Sequence, residues 1–130
     1  MAQSDSKKAR DYRISNELKV RRPNLSALKK AIRKKEHEIK FSEKEIELLS
    51  KLPAEEFNNI QSVFAYERSD SYLEFFKEMK IETMKLNVVF LKEDLEVDKQ
   101  SIRLEEAKIS LLEKGVEIGG IKDDKILEMA

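Results

Sequence analysis

The chain has no cysteine, so it has no disulfide framework, no thiol nucleophile and no thiolate zinc site. It also has no tryptophan, a single histidine, three glycines and two prolines. So few chain-breakers argue against a turn-rich β-fold. The longest strictly apolar run, residues 88–91, is far too short to span a bilayer, and the N-terminus has no apolar signal-peptide core. These absences predict a cytoplasmic protein without a membrane partner.

What fills the sequence instead is charge, 40% of 130 residues, together with Leu and Ile. That composition belongs to long helices and coiled coils. The formal net charge is zero, but the two signs are segregated. Residues 1–35 carry twelve Lys and Arg against Asp5, Asp11 and Glu17, a balance of +9; the remainder carries 14 basic and 23 acidic residues, a balance of −9. A basic leading segment suits a polyanionic partner, or an acidic surface of the same or a neighbouring chain.

Residues 1–10 are polar and read as a disordered arm. From Leu25 a heptad seam runs through Leu28, Ile32, Ile39, Ile46 and Leu49, predicting a helix over 24–52 that Pro53 closes. Phe57, Ile60 and Phe64 share one face of a short helix over 54–66. Ser71 and Glu74 form an S-x-x-E capping box ahead of an uninterrupted helix over 72–114, which ends at Gly115. Residues 115–130 form a tail with one further short helix. The expected fold is all-α: an elongated antiparallel helical hairpin or coiled coil spanning 24–114, entered by a basic segment over 11–35.

The 72–114 helix carries two seams. One includes Ile81, Met84, Val88, Leu91, Leu95, Ile102, Ile109 and Leu112. The other includes Phe76, Met79, Leu86, Phe90, Val97, Leu104, Ala107 and Leu111. A helix that is apolar on two sides needs two partners. Folding back the first helix covers one seam and the short helix covers only the start of the other, around Phe76 to Phe90, which leaves Val97, Leu104, Ala107 and Leu111 as a bare stretch for self-association or a partner helix.

The segment "ISNELKVRRPNLSALKK", residues 14–30, has Leu18 facing inward, Val20 at a turn, and Leu25 and Leu28 three residues apart on a second helix. It resembles the turn and recognition helix of the helix-turn-helix DNA-binding proteins, with Lys19 where that family usually has glycine. The resemblance implies a break near Val20 and a recognition helix that Pro23 helps to start. It also implies that Arg21, Arg22, Ser26, Ala27 and Lys30 face the major groove, that Asn24 reaches adenine or a phosphate, and that Lys29, Arg33 and Lys34 hold phosphates. The alternative is that Leu25, Leu28 and Ile32 belong only to the coiled-coil seam.

Nothing else in the sequence suggests chemistry. His37 lies off the seam with no partner constellation. The stretch "DLEVDKQ" lacks the glycine of a calcium loop, and Gly115, Gly119 and Gly120 are not followed by the Lys-Ser/Thr of a phosphate loop. No cofactor, metal or enzymatic activity is expected. Two functions remain: a small oligomeric nucleic-acid-binding protein with a basic N-terminal segment, or a coiled-coil scaffold, adaptor or inhibitor that binds another protein.

Overall fold

The computed structural model describes residues 2–60 and 69–130, with side chains from residue 6 onward. It contains four helices: α1 (Ala2–Ser50), α2 (Ala54–Ile60), α3 (Asp70–Glu113) and α4 (Asp123–Met129). No strand occurs among the described residues. The rest of the expected 54–66 helix, with Phe64, lies outside the described residues. Contacts group into two units, one formed by Met1–Arg33 with Glu96–Ala130 and the other by Lys34–Leu95.

Within each unit α1 and α3 pack antiparallel. In the first, Arg22 meets Glu113 and Lys29 meets Glu106. In the second, Glu43 meets Lys92, while the carbonyl of Ser50 accepts from Lys77. As numbers climb along one helix they fall along the other. The expected hairpin is therefore the fold, and the expected inner residues lie inside: Ile32, Ile39, Leu49, Ile81, Val88, Leu95, Ile109 and Leu112 are all buried.

The N-terminal half of α1 departs from expectation. Helix begins at Ala2, where a disordered arm was expected, and runs without interruption through Pro23. Residues 7–10, Lys-Lys-Ala-Arg, are good helix formers, and extending an existing helix is far cheaper than nucleating one. The helix-turn-helix break is not formed either. Val20, expected to plug a turn, is 63% exposed in mid-helix.

The physical reason lies in the phase of the seam. Ile14, Leu18, Arg21, Leu25, Leu28 and Ile32 are spaced 4, 3, 4, 3 and 4 residues apart, so they share one stripe of a continuous helix. Ile14 and Leu18 are buried in a cluster with Leu111, Leu112, Ile118 and Ile126. Pro23 falls about 180° from Ile14 at 100° per residue and is exposed. The Lys19 carbonyl that loses its amide partner therefore faces solvent, where water can serve it.

The helix ends follow from local chemistry. Lys77, half-buried, donates to the carbonyls of Ser50 and Leu52 at 3.1 and 2.6 Å, placing a cation on the orphan acceptors at the end of α1. The cap of α3 is Ser69, not the expected Ser71: the Tyr72 amide donates to Ser69 Oγ at 3.3 Å, and Ser71 already lies inside the helix. At the other end Gly115 takes φ +83°. Val116 N–H donates to Leu111 and Gly115 N–H to Leu112, both at 3.0 Å, which is a Schellman reversal.

That reversal overturns the expectation of a bare seam. The chain folds back so that Val116, Ile118, Ile121 and Ile126 pack in the cluster holding Leu104, Ala107 and Leu111. Leu111 is 2% exposed. Of the four residues expected to await a partner, only Val97 is open, at 60%. The tail is short, yet it carries apolar residues at 116, 118, 121 and 126 that all reach this cluster.

Replacing Pro23 by Ala should raise stability by roughly 1–3 kcal/mol in urea denaturation, because it restores one intrahelical bond and removes a steric clash. A helix that started at Pro23 would instead lose a favourable first-turn residue, and the change would be neutral or destabilising.

Candidate interaction surfaces

The basic residues of α1 sort by the side of the helix they occupy. Arg21 sits in the seam itself. Its guanidinium, a quarter exposed, donates to Glu17 at 2.9 Å and to both oxygens of Glu105 at 3.0 and 3.1 Å. Burial pushes its pKa down, but the hydrogen bonds and charges of Glu105 and Glu17 outweigh that and hold it above the ordinary value. Arg13 donates to Glu117 at 2.6 Å across a well-exposed pair. These two arginines fix α1 against α3 and the tail, and neither is free to read a groove.

The remaining expected nucleic-acid residues lie outward. Arg22 and Lys29 approach Glu113 and Glu106 at 3.5 and 3.9 Å, exposed contacts of the kind that contribute little. Lys30 and Arg33 are exposed and have no carboxylate within ion-pairing distance among the described residues, and Lys34, in the other unit, is placed likewise. Ser26 is exposed. Asn24 is exposed at the edge of an open groove lined by Arg21, Ala27, Leu28 and Glu105. The structure thus does not bring these residues together as one reading surface: Arg21 is held by carboxylates, and the others spread along a continuous helix.

The Lys34–Leu95 unit has an unexpected surface. The outer face of α3 leaves Phe75 60%, Met79 53%, Leu86 50% and Phe90 51% exposed, with Tyr72 and Val89 beside them. Positions 72, 76, 79, 83, 86 and 90 alternate in steps of 4 and 3, a coiled-coil seam of Tyr, Phe, Met, Thr, Leu and Phe. Here no stretch of chain among the described residues does for this face what the tail does for Leu104 and Leu111. Phe57 is fully buried and Phe76 packs beside it, but Tyr72, Phe75 and Phe90 are exposed. A separate open groove of 340 Å³ is lined by Phe41, Lys44, Glu45, Leu48, Leu49 and Ile60.

The sequence reading missed Phe75 and Val89, which flank the seam, and the cations Lys8 and Lys19. The signal for the first pair was present: both stand one step from a seam position. His37 is exposed, no three described Asp, Glu or His side chains form a metal-holding group, and no described helix is long and apolar enough to cross a membrane. Comparison with family models, with curated proteins and with solved structures gave no match.

Replacing Glu105 by Gln should cost about 1–3 kcal/mol, because the partly buried Arg21 loses its charged partner. Glu117→Gln, on the exposed Arg13 pair, should shift the denaturation midpoint far less.

Proposed function

We propose that this chain is a coiled-coil assembly protein whose α3 outer seam, between Tyr72 and Phe90, pairs with the same seam of a second copy. The observation that carries the reading is a run of exposed large apolar side chains along one stretch of α3, Tyr72, Phe75, Met79, Leu86, Val89 and Phe90, with Tyr72, Met79, Leu86 and Phe90 at heptad spacing. A stripe of this kind on a monomer marks an interaction site.

A second copy suits it because a two-fold interface uses one patch twice, and the flanks here carry both signs, Lys80 and Glu82, so neither copy presents a uniform charge to the other. Magnitudes support a reversible dimer. Six half-exposed side chains per copy, at roughly 1 kcal/mol each for the area still open, give about 10 kcal/mol over two copies. Association itself costs on the order of 4–15 kcal/mol. The surplus is at most about 6 kcal/mol, so the complex is reversible, with a Kd of roughly 40 µM or weaker.

Sedimentation equilibrium over about 1–100 µM, spanning that value, should show monomer giving way to dimer. Leu86→Glu with Phe90→Glu should hold the chain monomeric while its helical circular dichroism is unchanged, since both side chains lie on the outer face. A wild-type monomer at every concentration, or a dimer that survives the double substitution, would overturn the reading.

A further inference from the structure

A second surface, in the unit of Met1–Arg33 with Glu96–Ala130, carries an independent inference. At 100° per residue, Lys8, Lys19, Arg22, Lys29, Lys30 and Arg33 fall within a sector of about 100° on α1. All six are exposed. Lys8, Lys19, Lys30 and Arg33 have no carboxylate within ion-pairing distance among the described residues, while Arg22 and Lys29 have only the two loose contacts at 3.5 and 3.9 Å. The tight pairs, at 2.6–3.0 Å, lie outside this sector, Arg21 in the seam and Arg13 on the flank beyond it. One flank of α1 is therefore neutralised by the chain's own acids and the other is left cationic. Between Lys8 and Arg33, Asp11 is the one carboxylate of α1 within that sector.

We infer that this flank is a nucleic-acid-binding edge that holds the phosphate backbone of a duplex without reading its sequence. Lys8 to Arg33 span 25 residues of unbroken helix, about 38 Å at 1.5 Å per residue. That is close to one turn of a duplex, about 34–36 Å. A rigid rod with cations repeated along it is matched to a ligand whose charges also repeat along a rigid axis. Ser15 and Ser26 lie in the same sector and add hydroxyl donors, which phosphate oxygens accept.

The flank does not suit a lipid surface. An interfacial helix needs an apolar face to sink, and the apolar stripe of α1, Ile14, Leu18 and Ile32, is already buried. It does not suit a protein partner, because Tyr12 alone among large apolar side chains borders it, and interfaces rely on several buried anchors. A continuous helix held by α3 also gives no separate recognition helix, so the edge grips the backbone and does not discriminate between bases.

Fluorescence anisotropy with labelled duplexes of about 25 base pairs, a little over two turns, tests this on the full chain. DNA and RNA duplexes share the phosphodiester chemistry, and running both shows which is preferred. Affinity should fall on the order of 10³-fold between 50 and 200 mM salt, and two unrelated sequences should bind within about threefold of each other. The variant Lys8→Gln, Lys19→Gln, Lys30→Gln, Arg33→Gln should weaken binding at least about tenfold and make the log–log salt slope shallower by about 3–4. Arg13→Gln, on the neutralised flank, should leave both within error. No duplex binding at 50 mM salt, binding unchanged in the four-site variant, or binding confined to anionic phosphatidylserine vesicles would each overturn the inference.

Discussion

A long helix with apolar residues on two sides cannot be satisfied by one neighbour, and α3 is such a helix. Each unit answers this constraint differently. In the unit containing the termini, α1 takes one side and the returning tail takes the other, so Leu111 and Leu112 are both enclosed. In the Lys34–Leu95 unit, α1 and α2 enclose Ile81 with Leu49 and Phe57, and the other side keeps Met79, Leu86 and Phe90 in solvent. The same sequence device, two heptad seams on one helix, thus yields a closed core in one place and an open interface in another. The difference is whether about fifteen residues of tail are at hand to fold back.

Charge is sorted by the same helix geometry. Arg21 occupies a seam position where an aliphatic residue would stand in an ideal coiled coil, so it must bring its own counter-charges, and Glu17 and Glu105 provide them. A buried ion pair of this kind adds little net stability compared with a leucine, but removing one partner is costly. It therefore ties α1 to α3 in one register. Cations off the seam have no such obligation and remain solvated.

The hairpin, its inner seams and the Gly115 terminus were legible because they depend on spacing alone. The continuity of α1 was legible too, though a local pattern obscured it. Leu18, Val20, Leu25 and Leu28 match a turn motif in isolation, but Ile14 and Leu18 are also in heptad phase with Leu25, Leu28 and Ile32. Two helices joined by a turn would have no reason to keep that phase. Lys19 in place of glycine pointed the same way, because the turn needs a positive φ. The short helix of the tail was legible and is α4, but the docking of the tail was not. Val116, Ile118, Ile121 and Ile126 have neither helical nor strand period, and their burial depends on a reversal that only the three-dimensional path reveals. Which cations are neutralised was equally hidden, since Arg13 and Glu117 are 104 residues apart.

The Schellman reversal at Gly115 also sets the order in which this chain can fold. Ile14 and Leu18 find their partners at Leu111, Leu112, Ile118 and Ile126, about a hundred positions later in synthesis. At the roughly 5–20 residues per second of translation, the N-terminal part of α1 waits on the order of 5–20 s for a surface to pack on. An isolated helix of this kind is marginal while it waits. Residues 34–95 can meet their partners within a shorter loop and need no later segment. Residues 96–130 thus seal residues 1–33, and that unit forms only after they have emerged.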